Sequence, residues 1–272
     1  MRKPNLSLSI LSLTLFCVGM FVSPAGAGPS FQKGICYAAW ERNRYLSTHS
    51  DRSLEELART GAEWVAIVTT YYQDRFDSTA IYATEITPSD ESIIHVINRA
   101  HQLGLKVMLK PHLNLLDRKD GLCRLDIGFQ NQHDWQAWFT QYLDFILHYA
   151  KMAEETGAEL FCIGTELSFT TQKQEFWKDS IIPSIKRVYS GELIYAANWD
   201  TYENIRFWNE LDYIGIDAYF SLTEKGSPDY EEIEAAWMRK VDEVERYQKK
   251  INKPIIFTEI GYRSCEFSAV RP

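Results

Sequence analysis

The chain has 272 residues and a formal net charge of −8, with 24% charged and 45% hydrophobic residues. That length suits one large domain or two small ones, and the composition excludes collagen-like, low-complexity and disordered classes. The acidic balance argues against nucleic acid and anionic membranes as partners and is compatible with a neutral substrate such as a polysaccharide.

Arg2 and Lys3 precede an apolar run over residues 8–22, and Pro24-Ala-Gly-Ala27 offers small residues for cleavage after Ala27. This pattern predicts a secretory signal peptide over residues 1–27, because the apolar run is short for a membrane span of about 20 residues. Phe16 before Cys17 disfavours a lipoprotein. The expectation is a secreted or periplasmic protein with no membrane contact once the signal is removed, and a single domain over residues 28–272.

From residue 33 onward, nearly continuous apolar, β-branched or aromatic runs predict strands at 33–37, 64–69, 106–110, 160–165, 193–197, 213–217 and 255–258. Such runs read as strands buried on both faces. Helical periodicity predicts helices at 53–60, 88–103, 134–156, 174–189, 202–210 and 230–249. Thr87 reads as an N-cap with Pro88 at the first helical position and an acid in the first turn. Gly61, Gly104, Gly157 and Gly191 fall where left-handed helix caps belong. Repeated βα units imply a parallel sheet, either a doubly wound open sheet or a (β/α)8 barrel. The first strand is followed by Ala38-Ala-Trp-Glu-Arg-Asn43, without the glycine-rich turn of a dinucleotide-binding sheet. Polar and aromatic residues gather after the strand ends, as in a barrel. The prediction is therefore α/β, a TIM-type barrel with seven strands and six to seven helices visible. Few residues follow Glu259 before Pro272, whereas a further unit on the scale of a βαβ motif takes roughly 30. The eighth unit is thus expected to be missing, leaving the first and seventh strands as open edges.

Two of the apolar strands end on carboxylates, Glu166 after Leu160-Phe-Cys-Ile-Gly-Thr165 and Glu259 after Ile255-Ile-Phe-Thr258. A charge at the rim of a buried strand is costly unless it is paired or used. Two such acids facing one site are the minimal equipment for cleaving a glycosidic bond. Neither a GxSxG elbow, an HExxH pair, a P-loop nor a GxGxxG turn occurs. His95 and His101 stand six apart, not at the spacing of a helical metal pair, and no metal or other cofactor is expected. Cys36 and Cys162 read as buried thiols inside strands, while Cys123 and Cys265 lie in loop regions and could pair.

The chain resembles glycoside hydrolase family 113, the β-mannanase-type barrels among the clan A retaining glycosidases. The matching stretches are Lys110-Pro-His112, Gly164-Thr-Glu-Leu167, Tyr195-Ala-Ala-Asn-Trp-Asp200, Asp212-Tyr-Ile-Gly-Ile-Asp-Ala-Tyr-Phe220 and Phe257-Thr-Glu-Ile-Gly-Tyr-Arg-Ser264. The resemblance implies Glu166 as acid/base and Glu259 as nucleophile in a double displacement on β-1,4-linked mannan or manno-oligosaccharides. Another β-glycan such as xylan or glucan, or a catalytically impaired sugar-binding relic, are the alternatives. By position, Trp40, Lys110, His112, Asn198, Trp199, Asp217 and Tyr219 are the expected substrate-binding residues, with Tyr219 also a donor to the nucleophile and Asp217 either orienting a neighbour or binding a hydroxyl. Tyr71 and Tyr72 are weaker candidates. Cys123 stands where the resemblance leads one to expect tryptophan, which would weaken a sugar subsite.

Overall fold

The apolar runs form seven parallel strands that pair in sequence order: β1 (Gly34–Ala38), β2 (Trp64–Gln73), β3 (Lys106–Leu115), β4 (Leu160–Thr165), β5 (Glu192–Asn198), β6 (Tyr213–Asp217) and β7 (Ile255–Glu259). The computed structural model describes residues 31–119 and 121–272, and the expected signal peptide at 1–27 lies outside the described residues. Strictly sequential order is the signature of a barrel, since a doubly wound sheet reverses its order at a switch point. Among the described residues β1 pairs only with β2, and β7 only with β6. The sheet nevertheless curls far enough for Cys36 Sγ on β1 to donate to the Thr258 carbonyl on β7 at 3.4 Å.

The helices are α1 (Thr48–Arg59), α2 (Asp90–Gln102), α3 (Gln132–Thr156), the short α4 (Gln174–Phe176) and α5 (Ile182–Lys186), and α6 (Tyr230–Ile251). Side chains of Ser47, Ser89, Asn131 and Asp229 cap α1, α2, α3 and α6 by accepting an N–H from the first turn. The cap of α2 is therefore Ser89, two residues after the expected Thr87, whose hydroxyl instead donates to the Thr70 carbonyl at 2.8 Å. Gly157 closes α3 at φ 71°, where a side chain would be strained. Gly191 does not take the left-handed conformation expected of it.

Two sequence-predicted helices differ. The run 174–189 is interrupted by a π-helical turn at Trp177–Ile181 just before Pro183. Proline lacks the N–H that a regular turn needs and crowds the carbonyl before it, so the ladder widens there. The run 202–210 is only two 3-10 turns, Tyr202–Asn204 and Trp208–Glu210. Conversely β2 and β3 extend beyond the predicted 64–69 and 106–110. Pro111 is tolerated inside β3 because pairing with β4 stops at Leu109, which leaves that stretch laddered to β2 alone.

A small inner cluster of Ala66, Met108, Leu160, Cys162, Ile194 and Ala196 fills the lumen, and a larger core packs sheet against helices. Most aromatics serve the outer core: on α3, Trp138 stacks on Tyr142 at 4.9 Å and Phe139 on Phe176 at 4.3 Å. Tyr71 and Tyr72 belong here too; Tyr71 packs on Phe145 and Tyr149, and Tyr72 is buried. Cys162 is buried as expected, but Cys36 is exposed, because β1 has no neighbour on its outer edge among the described residues. Cys123 and Cys265, allowed as a pair from sequence, are both free thiols.

Candidate active site

β7 ends on Glu259 at a slip in its ladder with β6, between Ile216 and Asp217. The slip lets the Glu259 carbonyl accept the Ala218 N–H at 2.7 Å and brings its side chain over the lumen. Lys110 of β3 points to the same place and is wholly buried. Its ammonium donates to Glu259 Oε1 at 2.5 Å and to Asp217 Oδ1 at 3.0 Å. Thr258 Oγ1 donates to the same Asp217 oxygen at 2.8 Å, and Tyr219 donates to Glu259 Oε2 at 2.9 Å.

The electrostatics separate these groups. Burial alone would raise the Glu259 carboxyl, but the Lys110 charge and the hydrogen bonds from Lys110 and Tyr219 outweigh it and hold Glu259 below its usual range. Burial wins at Asp217, which is pushed up to about 6 against the pull of Lys110. Burial opposes the Lys110 charge, yet the two carboxylates keep it protonated well above the usual lysine range. Burial and the neighbouring Glu259 charge push the Tyr219 phenol up, so it remains a donor.

β4 delivers the second acid. Past a register shift between Cys162 and Thr165, Glu166 takes a left-handed backbone at φ 53°, held by its N–H on the Ala196 carbonyl at 2.8 Å. Non-glycine residues in that conformation are strained and cluster at functional sites. Arg124 meets its carboxylate, with Nε donating to Glu166 Oε2 at 3.1 Å. The same guanidinium uses Nη1 to donate to His112 Nδ1 and Asn114 Oδ1, both at 3.0 Å. Arg124 opens a 3-10 turn after β3, fixed by the Cys123 N–H on Asp126 Oδ2 at 2.9 Å and by the Phe169 N–H on the Leu125 carbonyl at 3.3 Å. Burial, then Arg124 and Lys110, push His112 well below its usual range, so its ring is neutral. His112 Nε2 lies 3.7 Å from Glu259 Oε1 and, like Asp217 Oδ2, is buried with no hydrogen-bond partner among the described residues.

The structure thus gathers Glu166, Glu259, Lys110, His112, Asp217 and Tyr219. Lys110 differs from the expectation that it binds a hydroxyl, and the hydroxyl-binding alternative for Asp217 finds no exposed group there. Both are sealed from solvent, with Lys110 bonded to Glu259 and to Asp217 Oδ1, because a buried ammonium must sit among carboxylates. Asn198 ends β5 with Nδ2 donating to Asp200 Oδ1 at 2.8 Å. Trp199 is half-buried in a T-shaped contact with Phe220, and Trp40 stands 57% exposed beyond β1. Arg124, Asn114 and Thr258 were not among the predicted site residues. The only sequence signal for Arg124 is a basic residue in the loop shared with the noted Cys123.

Comparison with known proteins bears on the family and the fold. The family profile of Glycoside Hydrolase Family 113 matches residues 36–272. A GH113 β-1,4-mannanase complex superposes with a TM-score of 0.77 at 28% identity, covering 89% of this chain and 76% of that one. The GH113 β-mannanase AaManA from Alicyclobacillus acidocaldarius, in complex with ManMIm, gives 0.78 at 28% identity, over 89% and 75%. The catalytic domain of a mannanase from Streptomyces sp. SirexAA-E shares the fold at 14% identity, with a TM-score of 0.51 over 85% and 66%. No curated protein matches.

Proposed function

This chain belongs to glycoside hydrolase family 113, and on that footing we propose that it is a secreted retaining hydrolase of β-1,4-mannan or manno-oligosaccharides. The observation that carries the mechanism is the Lys110 ammonium 2.5 Å from Glu259 Oε1, which favours an ionised carboxylate at the rim of the barrel. In the first step Glu259 bonds to the anomeric carbon as the glycosidic C–O bond breaks, and Glu166 gives its proton to the leaving oxygen. In the second, Glu166 takes a proton from water, the water oxygen bonds to the anomeric carbon, and Glu259 is released. Tyr219 holds the second oxygen of the nucleophile, so one oxygen is anchored on each side. Mannan as substrate rests on the β-mannanases that share 28% identity with the chain. Secretion rests on the signal-like order of Arg2, Lys3, an apolar run and Ala27.

A panel of β-1,4-linked mannan, xylan and glucan, with the first-formed anomer followed by proton NMR, tests this reading. Release of β-anomers from mannan, lost in both Glu166→Gln and Glu259→Ala, is the expected result. First-formed α-anomers would defeat the double displacement, and preference for xylan or glucan would defeat the substrate. Export is read separately, from the N-terminal sequence of protein recovered outside the cytoplasm, which should begin at Gly28.

A further inference from the structure

We propose that Arg124 is a positioning residue that joins the two halves of the site: it orients Glu166 through Nε and fixes the tautomer of His112 through Nη1, leaving the His112 Nε2–H as a spare donor beside Glu259 for a hydroxyl of the bound sugar. A guanidinium has only donors. At the 3.0 Å contact between Arg124 Nη1 and His112 Nδ1, the imidazole nitrogen must therefore accept, and a neutral ring must carry its proton on Nε2. That atom is buried without a hydrogen-bond partner among the described residues. Its 3.7 Å separation from Glu259 Oε1 is too long for a hydrogen bond.

A buried donor left unmade costs free energy that a ligand can recover. This one sits beside Glu259, the nucleophile of the proposed mechanism, where a hydroxyl close to the reacting centre would lie. Hydrogen bonds to the 2-hydroxyl strengthen in the transition state of glycoside cleavage, so that hydroxyl is the ligand group assigned to Nε2–H. The second Nη1 proton goes to Asn114 Oδ1, which fixes the rotation of the guanidinium plane. Three acceptors, on Glu166, His112 and Asn114, then define one orientation that a lysine ammonium on a shorter reach cannot reproduce.

The inference rests on the hydrolase reading for its hydroxyl, but not for its tautomer. Protein labelled with nitrogen-15 at histidine reports the protonation of each ring nitrogen, with the His112 signals identified by their loss in His112→Asn. Near neutral pH His112 should show a protonated Nε2 and a bare Nδ1 without any substrate present. A protonated Nδ1 in the unmutated chain overturns the proposal, whatever the enzyme hydrolyses. In Arg124→Lys the two tautomers should mix, and kcat on β-1,4-mannotetraose should fall about ten-fold or more with KM changed less than about three-fold. Wild-type kcat in that variant, or an unaltered histidine spectrum, likewise overturns it. Should Arg124→Lys fail to fold, the spectrum of the unmutated chain still decides the tautomer.

Discussion

The Lys110 ammonium donates to Glu259 Oε1 at 2.5 Å and to Asp217 Oδ1 at 3.0 Å, and none of that side chain meets solvent. One cation thus serves two carboxylates. The more exposed of them, Glu259, takes the stronger benefit and stays below the usual carboxylate range, while the wholly buried Asp217 is left near 6. The arrangement keeps Glu259 charged and places the cost of the second charge on a residue that meets no solvent.

Lys110→Met tests this division directly. Removing the ammonium takes away the main influence that lowers Glu259, so its carboxyl should rise and the acid limb of kcat/KM should move to higher pH. Two carboxylates would also be left buried without their partner, at a cost of roughly 3–5 kcal/mol in stability. An acid limb that stays in place in a folded variant would show that Lys110 does not hold the Glu259 charge.

Asp217 makes a prediction about folding. Its carboxyl is raised from 3.8 to about 6 by burial. A raised acid contributes stability that is fully present below the unfolded value and lost as pH rises through the folded one. Asp217→Asn cannot ionise and escapes that loss. The stability of Asp217→Asn relative to the unmutated chain should therefore improve steadily between about pH 4 and pH 7, as read by denaturant unfolding at several pH values. A difference that is flat or worsens over that window contradicts the raised carboxyl.

Tyr219 holds the second carboxylate oxygen of Glu259, with its hydroxyl 2.9 Å from Oε2. Tyr219→Phe keeps the ring and deletes the donor. The carboxylate then turns more freely, and kcat should fall about ten-fold. Losing a hydrogen bond to the charged form should also move the acid limb of kcat/KM up, by less than in Lys110→Met. Unchanged kinetics in Tyr219→Phe would remove the tyrosine from the site.

The two acids were legible because each closes a run of side chains with no other reason to end in charge. A strand buried on both faces writes itself as a continuous apolar segment, and Glu166 and Glu259 interrupt two of them. Lys110 was legible as a site residue only through its place at the end of a predicted strand and the family-like Lys110-Pro-His112 stretch, which pointed to hydroxyl binding rather than to a buried ion pair. Its pairing with Asp217 and Glu259 was not legible, because the slip that sets Asp217 beside Glu259 lies in the register between β6 and β7 and leaves no mark in either segment. Arg124 was missed for a different reason. It sits in an irregular loop nine residues past Leu115, the end of β3, and loop geometry has no period to read. The failed helix at 202–210 shows the opposite error, apolar side chains at helical spacing that pack on the sheet from two separate turns.

The approach to Glu166 depends on a glycine. A Cβ built on Gly164 would lie 2.9 Å from the Tyr142 hydroxyl, 2.9 Å from the Tyr195 ring and 3.0 Å from the Trp177 ring. All three side chains are fully buried and packed together, so they cannot yield by rotating. Gly164→Ala should cost about 1–3 kcal/mol through overpacking and should lower kcat by displacing Glu166 two residues on. A variant as stable as the parent by thermal unfolding would mean that the aromatic cluster yields more than its packing suggests.

Glu166 itself carries strain that can be separated from its chemistry. Its backbone lies at φ 53°, a conformation that costs a residue with a Cβ about 1–2 kcal/mol. Glu166→Ala and Glu166→Gly both delete the carboxylate, both leave Arg124 without that partner, and both should be inactive. They differ only at the backbone. Alanine keeps the steric conflict, whereas glycine adopts the left-handed region freely but gives up about 0.4–1 kcal/mol through a more flexible unfolded chain. The relief should outweigh that loss, so Glu166→Gly is expected to unfold at higher denaturant concentration than Glu166→Ala. If alanine is equally or more stable, the left-handed turn after β4 is not strained, and the acid is held there without the tension that its φ implies.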